Sequence, residues 1–450
     1  MKNRHKNWKI FAHRKGDNQQ YIPQIISNAL QVRGRIVMVI FTFFSILATS
    51  SVIFPIITVQ VASSLITILS LIEVCIIMQP RNKHESEKHY IQDLEKLTNF
   101  PLYTIIVPIF MEKPYDIIKL RNNLQNLKYP NIEIIYIIEE IDLGAMYTFD
   151  NIELQHNEKY IQIPRIAPFT KPKACNYALE FARGKYVVIY DIEDKPHPYQ
   201  LHFAHSFFSQ NKNASCLQFP LEFTQCYTIY EMWQKIDYIR WYGCMLDTIS
   251  KFKIPIPLGG TSNHFVTKDL RMAGGWDSYN VTEDAELGLR LFALGYGVRY
   301  CNVFATSESP VKNIANLYNQ RTRWAKGHLI TTIQVGKIFM QNKNYYAFLA
   351  IIYMLASRWL IFSFSMLLLV FGILNDQIFQ NHYIATTTCV NIFLFLSIPL
   401  QLLLIKKMRH KKMIPAILTY NIFYIFYFVV LAKALTECVN RPFAWYKTLR

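Results

Sequence analysis

Two kinds of hydrophobic pattern alternate along this chain. Ile36 to about Met78 is an apolar block without Lys or Arg. It has about twice the length one helix needs to cross a bilayer. Two spans with a tight turn near Pro55–Gln60 are therefore predicted. From about Phe100 the pattern changes to short β-rich runs separated by amphipathic stretches. Tyr103–Pro108 and Ile132–Ile138 read as strands. Pro114–Leu127 reads as a helix with Ile117, Ile118, Leu120, Leu124 and Leu127 on its apolar side. Lys173–Ala182 reads as a helix stopped by Gly184, and Tyr186–Tyr190 as a buried strand bounded by Arg183-Gly184 and Pro196. Strand, helix, strand, helix, strand over about a hundred residues predicts a parallel sheet with right-handed crossovers. Apolar blocks resume at Tyr345–Leu374, Thr386–Ile405 and Ile414–Leu435.

The predicted plan is thus a basic arm (1–35), two membrane helices (36–78) and an α/β domain (100–341). A block of about three membrane helices (345–435) and a tail (436–450) follow. Of the 450 residues, 52% are hydrophobic and 18% charged, and the net charge is +17. Basic residues flank the apolar blocks: Lys2, Arg4, Lys6 and Lys9 before the first, Arg81, Lys83 and Lys88 after it, and Lys406, Lys407, Arg409, Lys411 and Lys412 between the last two. Such flanks lie on the cytoplasmic side of spans, which places the α/β domain in the cytoplasm. No basic stretch carries the glycine and aromatic pattern of an RNA-binding motif, so no nucleic-acid partner is expected. Three full spans would put the C-terminus outside, yet Arg441, Lys447 and Arg450 favour the inside. A re-entrant or surface-lying segment would reconcile the two. None of the eight cysteines forms a C-x-x-C pair, which argues against zinc and redox motifs. Nor is there a G-x-G-x-x-G or P-loop lysine motif.

Acidic residues cluster where the strands end. Asp191, Glu193 and Asp194 follow the Tyr186–Tyr190 strand, and Glu139, Glu140 and Asp142 follow Ile132–Ile138. The carboxyl ends of strands are where open α/β sheets bind ligands. Converging carboxylates there suit a hard divalent cation that also holds phosphate oxygens. In Gly259-Gly260-Thr261-Ser262-Asn263-His264 the glycines allow close approach of a ligand, although an ordinary turn before a strand has the same pattern. Gly274-Gly275-Trp276-Asp277 reads as a tight turn presenting an indole and a carboxylate. Thr282-Glu283-Asp284 opens a helix, Ala285–Leu294, with Thr282 at the N-cap. The positive end of that helix would keep Asp284 ionised, as a general base requires. In Gln320-Arg321-Thr322-Arg323-Trp324, arginine beside tryptophan suits an anion clamp next to a stacking surface, and equally a membrane-interface helix.

In this order, bracketed by spans, the pieces resemble a membrane-bound family-2 glycosyltransferase of the cellulose-synthase-like kind, with a GT-A (Rossmann-like) cytoplasmic domain between transmembrane helices. Asp191-Ile192-Glu193-Asp194 stands in the D-x-D position, Thr282-Glu283-Asp284 is the T-E-D, and Gln320 to Trp324 is the Q-x-x-R-W. Lys171-Pro172-Lys173-Ala174-Cys175-Asn176 is similar to the lysine-containing helix before the D-x-D. The resemblance implies inverting transfer from a nucleotide-sugar to a growing polysaccharide in the bacterial plasma membrane, with possible export partner subunits. Transfer of one sugar to a lipid carrier and an inactive membrane scaffold are the rivals. By the same resemblance, Asp191 with Glu193 or Asp194 would hold Mg²⁺ or Mn²⁺. Lys173, Glu140, Asp142, Asp191 and Arg323 would bind the donor. Asp284, with Glu283 beside it, would be the base. Gly260, Thr261, Asn263, His264, Gln320 and Trp324 would line the acceptor side, with Gln218-Phe219-Pro220 shaping the same pocket. The chain departs from the pattern in reading D-x-E-D, which leaves Glu193 and Asp194 as alternative metal ligands. Glu139-Glu140-Ile141-Asp142 likewise leaves the nucleobase contact open.

Overall fold

The computed structural model describes Ala29, residues 33–53, 55–79, 87–252 and 254–356, then 398–399, 401–403, 405, 408, 411–445 and 447. Most of the basic arm and of the spans expected in Tyr345–Leu374 and Thr386–Ile405 falls outside these residues. The chain divides into two units, one of residues 1–30, 82–224 and 249–309, the other of 31–81, 225–248 and 310–450.

Among the described residues the first unit is built on nine strands: β1 (Tyr103–Ile109), β2 (Ile132–Glu139), β3 (Glu158–Ile163), β4 (Tyr186–Ile189), β5 (Ala214–Gln218), β6 (Leu221–Phe223), β7 (Asn263–Val266), β8 (Gly297–Tyr300) and β9 (Thr306–Glu308). Seven form one sheet in the order β3-β2-β1-β4-β7-β5-β8, and β6 pairs with β9. β3, β2, β1 and β4 run parallel, with Tyr103 opposite both Ile132 and Tyr186. β7 is antiparallel to both of its neighbours, β4 and β5. The parallel arrangement expected for β1, β2 and β4 holds, and the antiparallel β7 makes the complete sheet a mixed one. The central strands are runs of Ile, Val and Tyr buried along nearly their whole length, as covering both faces of a sheet demands.

The helices Pro114–Gln125, Lys171–Phe181 and Glu283–Ala293 fall within a few residues of their predicted places. The helix Leu143–Asp150 and the strand β3 were not foreseen. β3 lies at the sheet edge and mixes Glu158, Lys159 and Gln162 with its apolar residues, so no continuous apolar run announces it. Arg121 anchors it instead, holding Glu158 with Nε and Nη2 at 2.7–3.0 Å.

In the second unit the helices Ile229–Arg240, Ile314–Gln341 and Tyr420–Asn440 share one apolar core. Trp233 stacks on Phe423 at 5.6 Å between ring centres, and Phe423 on Phe426 at the same distance. Inside this core lies a polar cluster. Asp237 accepts from Tyr420 Oη at 2.7 Å and from Tyr427 Oη, and Arg240 pairs with Glu73. The apolar block at the start of the chain forms the helices Arg33–Ile53 and Pro55–Met78. Two described segments, Gln60–Met78 and Tyr420–Asn440, are long and apolar enough to cross a membrane.

Candidate active site

The acidic turn after β4 sorts its own carboxylates. Asp194 is turned inward with no exposed surface; its Oδ2 accepts from the Asp191 N–H at 2.7 Å and lies in hydrogen-bond contact with the Thr261 hydroxyl oxygen. Burial, then the nearby Asp191, Glu308 and Glu193, pushes its pKa well above the usual carboxylate range. Asp194 Oδ1 is also buried, so the turn presents Asp191 and Glu193, both partly exposed, and not Asp194. As a metal-ligand candidate Asp194 is thereby corrected.

Asp191 is linked to Asp284 through a short chain of contacts. Lys171, the first residue of the helix Lys171–Phe181, brings its Nζ to 2.5 Å from Asp191 Oδ1 and 2.9 Å from the Gly260 carbonyl. Gly260 in turn borders Asp284: a Cβ at this position would stand 3.2 Å from Asp284 Oδ2. Asp284 Oδ1 accepts from the Ala285 N–H at 2.7 Å, in the first turn of Glu283–Ala293. Burial opposes the Lys171 charge, but Asp191 and then Glu283 outweigh it and raise the ammonium's pKa. Lys171 was overlooked in favour of Lys173. Its position two residues before that lysine, at the helix start, is the signal that was available.

The surrounding polar residues hold this arrangement in place. The Gln218 amide brackets the glycine loop, accepting from Gly259 N at 2.7 Å and donating to Thr261 O at 3.1 Å. Asn176 clamps the turn before the T-E-D helix: its amide donates to Trp276 O at 2.7 Å and accepts from Trp276 N at 2.9 Å. Gly275, at φ +68°, is required there, because a Cβ would lie 2.3 Å from Asn176 Oδ1. Arg290 donates to Glu286 Oε1 and Oε2 at 2.8 and 2.9 Å and to Gly275 O at 2.7 Å, with both side chains fully buried.

Several expected wall residues are interior instead. Thr261 donates to the Ile189 carbonyl at 3.0 Å, and Asn263 Nδ2 to the Gly259 carbonyl at 2.5 Å; both are buried. His264 sits in β7 with no exposed surface, Nδ1 at 2.6 Å from Tyr103 Oη and Nε2 at 3.1 Å from Gln200 Oε1. Burial lowers its pKa to about 3. Trp276 and Asp277 are likewise buried rather than presented. Thr282 occupies the N-cap but makes no capping bond; its N–H and hydroxyl meet Asn280 Oδ1 at 2.9 and 3.3 Å.

A second group gathers at the end of β2. Lys173 donates to Ile166 O at 2.6 Å and lies 3.8 Å from Glu139, which Arg165 approaches to 3.3 Å. The Arg165 guanidinium covers the Phe169 ring at 4.5 Å, and Glu140 is exposed beside it, accepting from the Arg165 N–H at 3.1 Å. Asp142 is committed elsewhere, capping the helix Leu143–Asp150 through Ala145 N at 3.1 Å and accepting from Met111 N. It is corrected from donor ligand to helix cap. Glu139, one of the acidic residues among which the sequence leaves the nucleobase contact open, lies in this group beside Lys173 and Arg165.

In the second unit Gln320 is buried, while Arg323 and Trp324 are partly exposed on the helix Ile314–Gln341. Arg321 covers the Trp324 ring at 4.1 Å and reaches Asp237 at 3.4 Å. Lys326 is fully buried and donates to Glu437 at 2.9 Å and to the Arg441 and Ala444 carbonyls.

Among the described residues no group of three or more His, Cys, Asp or Glu forms a complete metal cage. Asp191 and Glu193 nonetheless fit a hard cation of the magnesium type, which takes one or two carboxylates and completes its shell with phosphate oxygens and water.

A family model, the glycosyl transferase family group 2, matches residues 186–431. The chain belongs to this family. Among its relatives, a probable glycosyltransferase of Sulfolobus acidocaldarius is 26% identical over 246 residues, covering 54% of this chain and 53% of the relative. A poly-beta-1,6-N-acetyl-D-glucosamine synthase of Staphylococcus epidermidis is 23% identical over 46% of this chain and 50% of its own. A beta-monoglucosyldiacylglycerol synthase of Trichormus variabilis is 22% identical over 57% and 54%. The chain thus spans about half the length of the curated relatives it matches. Among solved structures, a mannosyltransferase from Pyrobaculum calidifontis in complex with GDP-Man and Mn²⁺ superposes with a TM-score of 0.53 at 14% identity, over 85% of this chain and 99% of that one. The α/β unit of this family-2 chain therefore has a GT-A-like fold.

Proposed function

We propose that the protein is an integral-membrane, inverting glycosyltransferase that moves a sugar from a nucleotide-sugar to a growing polysaccharide on the cytoplasmic side of a bacterial plasma membrane. The observation that supports this reading is the contact chain Asp191–Lys171–Gly260–Asp284, which links the proposed donor carboxylate to the proposed base through two residues. Asp191 and Glu193 would hold Mg²⁺ or Mn²⁺, which when bound supplies electrostatic stabilisation to the departing diphosphate. Asp284 takes the proton of the acceptor hydroxyl as that oxygen attacks the anomeric carbon. Lys173, Glu139 and Glu140 receive the nucleoside. Gln320, Arg323 and Trp324 lie in the second unit, and a role for them toward the diphosphate and the acceptor rests on the family resemblance alone. The apolar segments Gln60–Met78 and Tyr420–Asn440 support membrane integration.

A second reading, transfer of one sugar to a lipid acceptor, is favoured by the likeness to a glucosyldiacylglycerol synthase. Membranes holding the protein are incubated with a panel of labelled nucleotide-sugars and the product is sized. A polymer supports the first reading, and a single-sugar lipid the second. No turnover of any donor in the panel contradicts both and leaves the inactive scaffold.

A further inference from the structure

The helix Tyr420–Asn440 is long and apolar enough to cross a bilayer, but polar contacts recur along one face of it from end to end. Near its start Tyr420 Oη donates to Asp237 Oδ1 at 2.7 Å and accepts from Arg240 Nη1 at 3.1 Å. Two turns on, Tyr427 Oη donates to Asp237 Oδ2. Then Lys433 Nζ donates to Asn319 Oδ1 at 2.8 Å, and Lys326 Nζ to Glu437 at 2.9 Å. Just past the helix end, Lys326 Nζ also meets the Arg441 and Ala444 carbonyls at 3.1 and 3.0 Å.

The helices that supply these partners are poor membrane spans themselves. Ile229–Arg240 is about 18 Å long, against about 30 Å of hydrocarbon. Ile314–Gln341 carries Arg321, Arg323, Lys326, His328 and Lys337 along its length, which hydrocarbon would penalise heavily. Their shared core also has a definite level. Among the described residues of the span Gln60–Met78, it takes in Ile76 and Ile77, in the last turn, and Arg240 pairs with Glu73 one turn earlier. The same core includes Tyr420, Phe423, Tyr427, Val430 and Ala434, nearly the whole length of the last helix. A helix running across the bilayer would leave that level within its first turns. On the other side Ile422, Phe428, Val429 and Val439 are exposed. An apolar stripe flanked by Lys411 and Lys412 before it and Arg441 and Lys447 after it fits the anionic surface of a bilayer.

We propose that Tyr420–Asn440 lies along the membrane surface, with its exposed apolar stripe in the headgroup–acyl boundary and both ends on one side. Through Lys326, residues 441–444 stay on the side of the helix Ile314–Gln341. Arg441, Lys447 and Arg450 then fall on the same side as Lys406–Lys412, as basic flanks require. The apolar blocks Tyr345–Leu374 and Thr386–Ile405 supply the two crossings that bring the chain back. This inference rests on the membrane reading above, and the experiment separates it from the cytoplasmic orientation.

Lys312→Cys, Lys411→Cys and Arg450→Cys are introduced singly into the full chain. Labelling by a membrane-impermeant maleimide, above the wild-type background, is read in intact and in permeabilised cells. Lys312 precedes the helix Ile314–Gln341, and the other two positions bracket Tyr420–Asn440. All three are expected to label only after permeabilisation. Opposite behaviour of Lys411→Cys and Arg450→Cys, in either sense, means that the helix crosses and overturns the proposal. Labelling of all three in intact cells upholds the surface helix and overturns the cytoplasmic orientation instead. A second measurement distinguishes a surface helix from a re-entrant one. In protein reconstituted into phosphatidylcholine–phosphatidylglycerol vesicles, a nitroxide on Val429→Cys is located by its relaxation with oxygen and with a water-soluble nickel chelate. Val429 stands at the middle of the helix. The signal gained over wild type is expected about 5–10 Å into the boundary region. A label at the bilayer centre, about 15 Å deep, overturns the proposal.

Discussion

Asp284→Asn isolates the proposed chemistry, because it exchanges one carboxylate oxygen for an amide nitrogen at nearly constant shape. The structure gives reason to expect that the replacement sits where the aspartate did. The Ala285 N–H holds one oxygen at 2.7 Å, a bond the asparagine carbonyl can keep, and the amide nitrogen then falls where Oδ2 faces Gly260. The cost to folding is small. One carboxylate is lost from the first turn of Glu283–Ala293, an effect of about 0.3–1 kcal/mol, and Glu283 and Glu286 remain there. The cost to transfer is large, since an amide cannot accept the acceptor's proton. A fall of about two to four orders of magnitude is expected, equivalent to about 3–5 kcal/mol of barrier.

The donor should be bound almost as before. Asp284 lies at the far end of the contact chain, with Gly260 and Lys171 between it and Asp191. The assay pairs single-turnover transfer at saturating donor with calorimetric donor binding on the same preparation. Slow transfer with normal binding is the expected outcome. Collapse of donor binding with normal turnover at saturation would refute the base assignment and make Asp284 a donor or structural ligand.

Asp191→Ala should abolish the response of activity to Mg²⁺ or Mn²⁺, and an undiminished metal titration would remove Asp191 from the donor site. Arg290→Met strands the buried Glu286 carboxylate and should cost about 3–5 kcal/mol in thermal or denaturant unfolding. Arg290→Met combined with Glu286→Leu should recover much of that loss, and equal losses in the single and double variants would count against the ion pair as the cause. His264 is neutral in the fold, with its pKa lowered to about 3 by burial, whereas an unfolded imidazole titrates near about 6.5. The unfolded chain therefore binds more protons below that value. Its contribution to stability is complete above about pH 6.5 and is lost as pH falls, by about 2 kcal/mol at pH 5. His264→Gln should flatten that slope between pH 6.5 and 5, and an identical slope in wild type and variant would locate the sensitivity elsewhere.

What could be read from the sequence depended on whether a residue's role is local. Asp191 and Asp284 stand just after a strand and just inside a helix, two positions that apolar periodicity and turn residues mark directly. The side to which a polar residue turns is not local. Asn263 and His264 look like pocket residues because they follow a glycine pair, but β7 enters the sheet antiparallel between β4 and β5 and is buried on both faces. Their partners, Gly259, Tyr103 and Gln200, include residues far away in the chain, so only the assembled sheet turns them into core. Asp194 was misplaced for the same reason, since Thr261 from that distant loop draws it inward. Lys171 is the opposite case. Its position is local and its neighbour was noticed, but the motif drew attention to Lys173. What sets it apart in the fold is electrostatic: a cation at a helix N-terminus, largely removed from water, is held there by the Asp191 carboxylate.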